Sequence, residues 1–263
     1  MDMFKQTLAP IPEKAWDEIN ERAEEVIKSV LTARKTLHVA GPGGLGTQVV
    51  QSGRLNLLDT GDKNVNAGLY ETKSLMETRI TFELSRWELD NLDRGVDDVE
   101  LDALEEAAKH LAEFEEDVLY NGNKNALIEG LKPLAETKID LKDDPQAILA
   151  GVNAGMLALK HAFALPPYNL VVGENLYQDL HQAHGAKLLK EIVENMIGGS
   201  VILSEQLEGG LLMPVDHDDL ELTIGQDYTI GYESHDDENV RFFVMNSFTL
   251  RVLDEALIVS FDY

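Results

Sequence analysis

Between Pro42 and Met76 the chain never gathers an apolar face large enough to bury. Short alternating segments at Val49 and Val50, at Leu55, Leu57 and Leu58, and at Leu69 are separated by Asp59, Gly61, Asp62, Asn64, Asn66 and Gly68. Alternation of this kind, punctuated by turn-forming residues, predicts a long two-stranded β-ribbon over 42–76. An isolated ribbon is marginal in water, because it buries too little apolar surface to offset the backbone entropy it loses. This one needs another surface to lie on.

The root of the ribbon is Gly41-Pro42-Gly43-Gly44-Leu45-Gly46, a formal GxGxxG after the apolar segment Leu37 to Ala40. That is how a dinucleotide-binding turn is introduced, but such a turn opens a long helix and a second strand ending in an acidic residue about 20 positions on. Here Gly53 interrupts any helix, Asp59 arrives early and no βαβ series continues. A flexible glycine-rich hinge is the better reading, and a dinucleotide-dependent oxidoreductase is kept only as a distant alternative.

Around the ribbon the pattern is mixed. Pro10 and Pro12 end an N-terminal arm, and Trp16, Ile19, Ala23, Val26, Ile27, Val30 and Leu31 recur at helical spacing over 13–35. Residues 78–88 alternate as a strand that ends near Trp87. Asp102 followed by Glu105 reads as an acidic capping box opening a helix over 103–120, closed by Asn121-Gly122. After Pro133 come a helix over 145–162 capped by Asp144, a buried strand over 168–172, two helical pieces over 175–197 broken near Gly185, and a strand over 200–204. Residues 220–263 are strand-rich around an acidic turn at 234–238. The fold class is α+β.

The charge narrows the partners. Against 22 Lys and Arg stand 48 Asp and Glu, a formal charge of −26, which disfavours nucleic acid because phosphate binding draws on clustered bases. Absence of cysteine removes disulfides and thiolate metal sites. No segment reaches the roughly 18 apolar residues of a membrane span, and neither a basic n-region nor an apolar run marks a signal peptide, so a soluble, unprocessed, cytoplasmic protein with no membrane partner is expected. The 7 histidines form no HExxH; His181 and His184, with Lys187, are the single local cluster and fit a solvated loop. Asp216-His217-Asp218-Asp219 reads as a solvated acidic turn rather than a cation site. No GxSxG occurs, and carboxylates are too abundant for any pair to stand out, so neither enzyme chemistry nor a metal site is expected. Trp87, in the charged run Arg86 to Gly95, reads as core or interface packing, with a stacking platform for a planar ligand as the alternative.

Several stretches resemble one family, the encapsulins, also known as linocin-type bacteriocin proteins, whose subunits are similar to tailed-phage capsid proteins of the HK97 fold. They are Leu8-Ala9-Pro10, Glu13-Lys14-Ala15-Trp16, Glu18-Ile19, Arg34-Lys35, Trp87 to Gly95, Ala112-Glu113-Phe114-Glu115, and Ile224 to Tyr228 with Ile230 to Glu233. The resemblance implies five parts: an N-terminal arm and helix over 1–41, an E-loop ribbon over 42–76 lying across a neighbouring subunit, a P-domain with its spine helix over 77–133, an A-domain over 134–222, and P-domain strands over 223–263. It implies a hollow icosahedral shell of about sixty copies, enclosing a cargo enzyme whose C-terminal peptide docks on the inner wall. Dye-decolorising peroxidases and ferritin-like iron oxidases are the family's usual guests, so oxidative-stress defence or iron storage is the implied setting. The positions expected to hold the peptide are Ile27, Val30, Leu31, Arg34, Tyr228 and Ile230, with core packing as the competing role for the apolar ones. The pore at the fivefold axis is expected to be lined by His181, His184, Gly185 and Lys187. No cofactor is required, though a planar ligand such as a flavin could stack near Trp87. A phage major capsid protein, sharing the fold, is the nearest alternative.

Overall fold

The computed structural model describes residues 3–62 and 64–263. In chain order its elements are α1 (Glu13–Val30), β1 (His38–Ala40), β2 (Val49–Leu58), β3 (Ala67–Ser74), β4 (Met76–Ser85), α2 (Arg86–Arg94), α3 (Asp102–Asn121), α4 (Leu131–Leu134), β5 (Thr137–Asp140), α5 (Pro145–His161) and β6 (Tyr168–Val172). There follow α6 (Glu174–Leu180), β7 (Ala183–His184), β8 (Lys187–Leu188), α7 (Leu189–Ile197), β9 (Val201–Leu203), β10 (Gly210–Pro214), β11 (Leu220–Ile224), β12 (Thr229–His235), β13 (Asn239–Val252) and β14 (Val259–Asp262).

The first sheet is organised by β13, whose near-continuous apolar run is what a strand covered on both faces requires. It pairs antiparallel with β4 along one side and with β11 and β12 along the other, while β1 runs parallel to β11. On one face lie α1 and α3. The buried side of α1 is Ala15, Ile19, Ala23 and Ile27, at steps of four, and Trp16 meets Phe242 edge-on at 5.4 Å. The second sheet has the order β5-β14-β10-β6-β9 and is covered by α5 and α7.

The ribbon stands apart. β2 and β3 pair only with each other, with a register shift at Gly53, which takes φ +73°. Leu57 is 80% exposed, Leu69 66% and Tyr70 75%, so within one chain the ribbon buries neither face. Its root is fastened rather than loose. Gly43 N–H donates to Ile224 O at 3.0 Å and Gly44 N–H to Gly225 O at 2.7 Å, and a Cβ on Gly41 would sit 2.3 Å from Ile224 O. Those amides are spent on carbonyls and a strand follows them, which contradicts the dinucleotide turn.

Several expectations need correction. The last strand, β14, leaves the first sheet and lies between β5 and β10, so a unit running unbroken from 223 to 263 does not describe it. Asp102 sits inside the first turn of α3 with Leu101 as N-cap, and no capping box forms. Gly122 has φ +86° but an extended ψ, because it packs against Gly130. β4 ends at Ser85 and Trp87 lies on α2. β5 and the buried strand β10 are not foreseen by the sequence pattern.

The periodicity carries the first helix to residue 35, but it stops at Val30. The cause lies on α3, where Glu115 and Glu116 are both fully buried. Glu116 Oε1 accepts the Ala33 N–H at 3.0 Å and Oε2 accepts the Thr32 hydroxyl, whose oxygen lies 2.7 Å from Tyr120 Oη. With the Ala33 amide taken by a carboxylate, the helical ladder cannot continue. Unlike Glu115, Glu116 faces no cation among the described residues. Burial, opposed by the Thr32 and Ala33 hydrogen bonds and reinforced by Glu115, raises its pKa to about 7.

A carboxyl near 7 when folded and 4.5 when unfolded favours the folded state while protonated. The contribution is complete below about 4.5 and lost as pH climbs through about 7. Glu116→Gln keeps an acceptor for Ala33 and donates to Thr32, mimicking the protonated form. We expect the fall in stability between pH 5 and 8 to shrink by about 2–3 kcal/mol, with the variant more stable than the parent at pH 8. Urea unfolding across that range checks this, and superimposable pH profiles would contradict it.

Candidate functional site

Beside the buried face of α1 opens a groove of about 660 Å³. One wall is α1, which presents Asn20, Ala23, Glu24, Ile27 and Lys28 and continues into Leu31, Arg34 and Lys35. The other is Asp227 and Tyr228 from the turn before β12, with Ile230 and Val244 from the first sheet. The floor is apolar and the rim charged, the arrangement that suits an extended peptide laying apolar side chains inward. Glu24 and Lys28 pair with each other at the rim.

Arg34 does not offer its charge to this groove. Its Nε and Nη2 hold Glu115 at 2.8 and 3.0 Å, its Nη1 holds Asp227 at 2.9 Å, and its guanidinium lies 5.2 Å from the Tyr228 ring centroid. Burial works against the charge, but hydrogen bonds and attraction from Glu115 and Asp227 outweigh it and hold the Arg34 pKa above the ordinary arginine value. Glu115 also accepts from Tyr228 Oη at 2.8 Å and Asn246 Nδ2 at 2.5 Å. Tyr228 is half-buried, and desolvation of its hydroxyl together with that carboxylate pushes its pKa well up. Arg34 is thus a strut that fixes the 227–228 turn against α3, setting the width of the groove.

Of the six expected peptide-binding positions, Ile27, Leu31, Arg34, Tyr228 and Ile230 are brought together here. Val30 is not. At 100° per residue it falls off the Ala23-Ile27-Leu31 line, and it lines a separate cavity of about 280 Å³ with Val26, Lys109 and Leu203. Sequence reasoning misses Ala23, Lys35, Asp227 and Val244. It also misses the double acid beneath them, although its signal is legible: Leu111-Glu115-Leu119 and Ala112-Glu116-Tyr120 place both acids on the inward stripe of α3.

The four pore candidates divide. His184 and Lys187 pair across the β7–β8 hairpin, whose two-residue turn begins at Gly185 with φ +70°. His181 precedes the hairpin and turns back, its Nδ1 2.8 Å from Tyr177 O and its ring tilted at 50° against that of Tyr177, centroids 4.3 Å apart. Trp87, expected to pack, is 70% exposed on α2 with the Arg94 guanidinium 5.6 Å from its ring centroid. His38 faces Asp216 at 2.8 Å, away from the groove. Among the described residues no group of three or more acidic or histidine side chains is arranged to hold a metal, and no helix is long and apolar enough to cross a membrane.

Residues 1–249 match a family model described as encapsulating protein for peroxidase. The type 1 encapsulin shell protein of Mycolicibacterium paratuberculosis is 31% identical over 252 residues, covering 95% of each chain. That of Rhodospirillum rubrum is 32% identical over 263 residues, covering 96% of this chain and 94% of its own. Among solved structures, a virus-like particle from Pyrococcus furiosus superposes with a TM-score of 0.68 at 16% identity, covering 94% of this chain and 98% of the other. The capsid of Myoviridae phage XM1 gives 0.53 at 12% identity, covering 86% and 89%. The α+β sheets and helices described above are therefore an HK97-like capsid fold, and the chain belongs to the encapsulin shell-protein family.

Proposed function

We propose that copies of this chain close into a hollow icosahedral shell, sixty in number, that holds a cargo enzyme in the bacterial or archaeal cytosol. The observation that carries this reading is the ribbon, which exposes both faces in one chain and would be buried by a neighbouring copy. A contact of one patch with a different patch on the next copy builds a closed assembly when its rotation closes. Leu57 and Leu69 would be the main apolar payload. The shell supplies no catalysis of its own; chemistry belongs to the guest. A peroxidase guest has support in the description of the matching family model, and a ferritin-like iron oxidase is the other candidate.

The groove between α1 and the first sheet is the proposed cargo dock. A short peptide from the guest would set apolar side chains over Ala23, Ile27, Leu31 and Ile230, while Arg34 keeps the walls apart. The β7–β8 tip, with His184, Gly185 and Lys187, is the proposed pore lining, and His181 stands behind it as support for α6. At Trp87 one ring face already meets Arg94, so a planar ligand such as a flavin would take the other face.

Two outcomes test the reading. Leu57→Asp with Leu69→Asp alters side chains that are 80% and 66% exposed, so the chain should fold normally yet fail to form large particles in sedimentation. Particles at the parent concentration would remove the ribbon from the assembly. Asn20→Trp fills the groove from an exposed position without touching the ribbon or the core. Purified from the source cell, its particles should form normally but carry at least about fivefold less co-purifying guest by denaturing gel, since a filled site rejects a matched occupant at a cost of about 1–3 kcal/mol. Unchanged loading would place the dock elsewhere.

A further inference from the structure

The chain spreads 48 acidic residues over 263 positions, yet from 145 to 173 there is none. That interval contains α5, and each of the other helices of seven residues or more carries at least two acids. The inward side of α5 explains part of this, with Ile148, Val152 and Leu159 buried against the second sheet. The outward side does not need to lack acids, but it does: Ala150, Ala154 and Leu157 lie exposed at steps of four and three ahead of Lys160, and Leu157 is 51% exposed.

The stripe runs into a tip at the end of the helix. Phe163 is 92% exposed and Leu165 79%. Phe163 also holds φ +62°, the left-handed region in which an aromatic residue is strained. The tip is nevertheless fixed. Phe163 N–H donates to Lys160 O at 3.1 Å, Ala164 N–H to Leu159 O at 3.0 Å, Tyr168 Oη to Ala164 O at 2.9 Å, and Val215 N–H to Pro167 O at 3.1 Å. An aromatic ring held outward on a strained but well-bonded backbone has no use within its own chain.

We propose that the outer face of α5 and the Phe163–Leu165 tip form a contact surface for a second copy of this chain. Charge selects that occupant. Copies each carrying a formal −26 repel wherever their acidic surfaces approach. This face is where two copies meet at least electrostatic cost, and Lys160 and His161 at its end are complementary to carboxylates elsewhere on a neighbour. The surface is separate from the ribbon, so it is a second, independent contact. It rests on the shell reading and adds to it the residues that hold neighbouring second sheets together.

Phe163→Gly is the informative variant, because glycine relieves the left-handed backbone while deleting the ring. Its melting temperature, measured below the assembly concentration, should equal or exceed that of the parent, so loss of assembly cannot be ascribed to unfolding. Sedimentation over a concentration series should show Phe163→Gly, and separately Leu157→Glu, needing at least tenfold more protein than the parent to form large particles. If the parent assembles and both variants assemble at the same concentration, the contact surface is wrong and the shell reading stands. If the parent itself forms no large particle, both fall together.

Discussion

A β-ribbon with leucines and a tyrosine exposed on both sides leaves a folded chain with apolar surface it cannot bury alone. The two sheets of this protein are complete in themselves. β13 is covered by β4 on one side and by β11 and β12 on the other, and the second sheet has α5 and α7 against it. The ribbon is the part left over. Its root is pinned to the end of β11 through Gly43 and Gly44, so it is carried outward on a fixed base, and fixation of the base makes docking on another copy inexpensive in entropy.

Charge sets the terms on which such docking happens. Sixty copies would bring together a formal charge of roughly −1560, and contacts that meet the fewest carboxylates are favoured. Inside the chain the same excess of acid is handled by pairing. Glu115 is matched by Arg34, Tyr228 and Asn246, and Arg34 is matched in turn by Asp227. Glu116, one residue on, has neutral donors only. These two adjacent carboxyls end α1, position the turn that follows it and fix the far wall of the groove. The groove is therefore shaped by a network whose two acids lie beneath its lining rather than in it.

Much of this is legible in the sequence, for physical reasons that differ by element. The ribbon is readable because alternation and turn residues act locally, and α3 and α5 because their apolar stripes keep one period throughout. The end of α1 is not readable: its apolar spacing runs on past Val30, and what stops it is an acceptor on α3, more than 80 positions distant. Val30 falls outside the groove it is expected to line because spacing alone does not resolve neighbouring lines on a helix of this amphipathicity. β14 lies in a different sheet from the one expected because a short apolar strand carries no mark of its partner. Packing is the natural expectation for Trp87 since an exposed indole is uncommon in one chain, an inference that holds only when the chain is the whole assembly.

A ribbon that buries neither face in its own chain needs other copies of that chain to cover it. Native mass spectrometry of the purified protein, with negative-stain microscopy of the same sample, addresses this need most directly. The expected result is a closed hollow particle with the mass of 60 chains of 29.2 kDa. A monomer or small oligomer that persists at high concentration and moderate salt would contradict it.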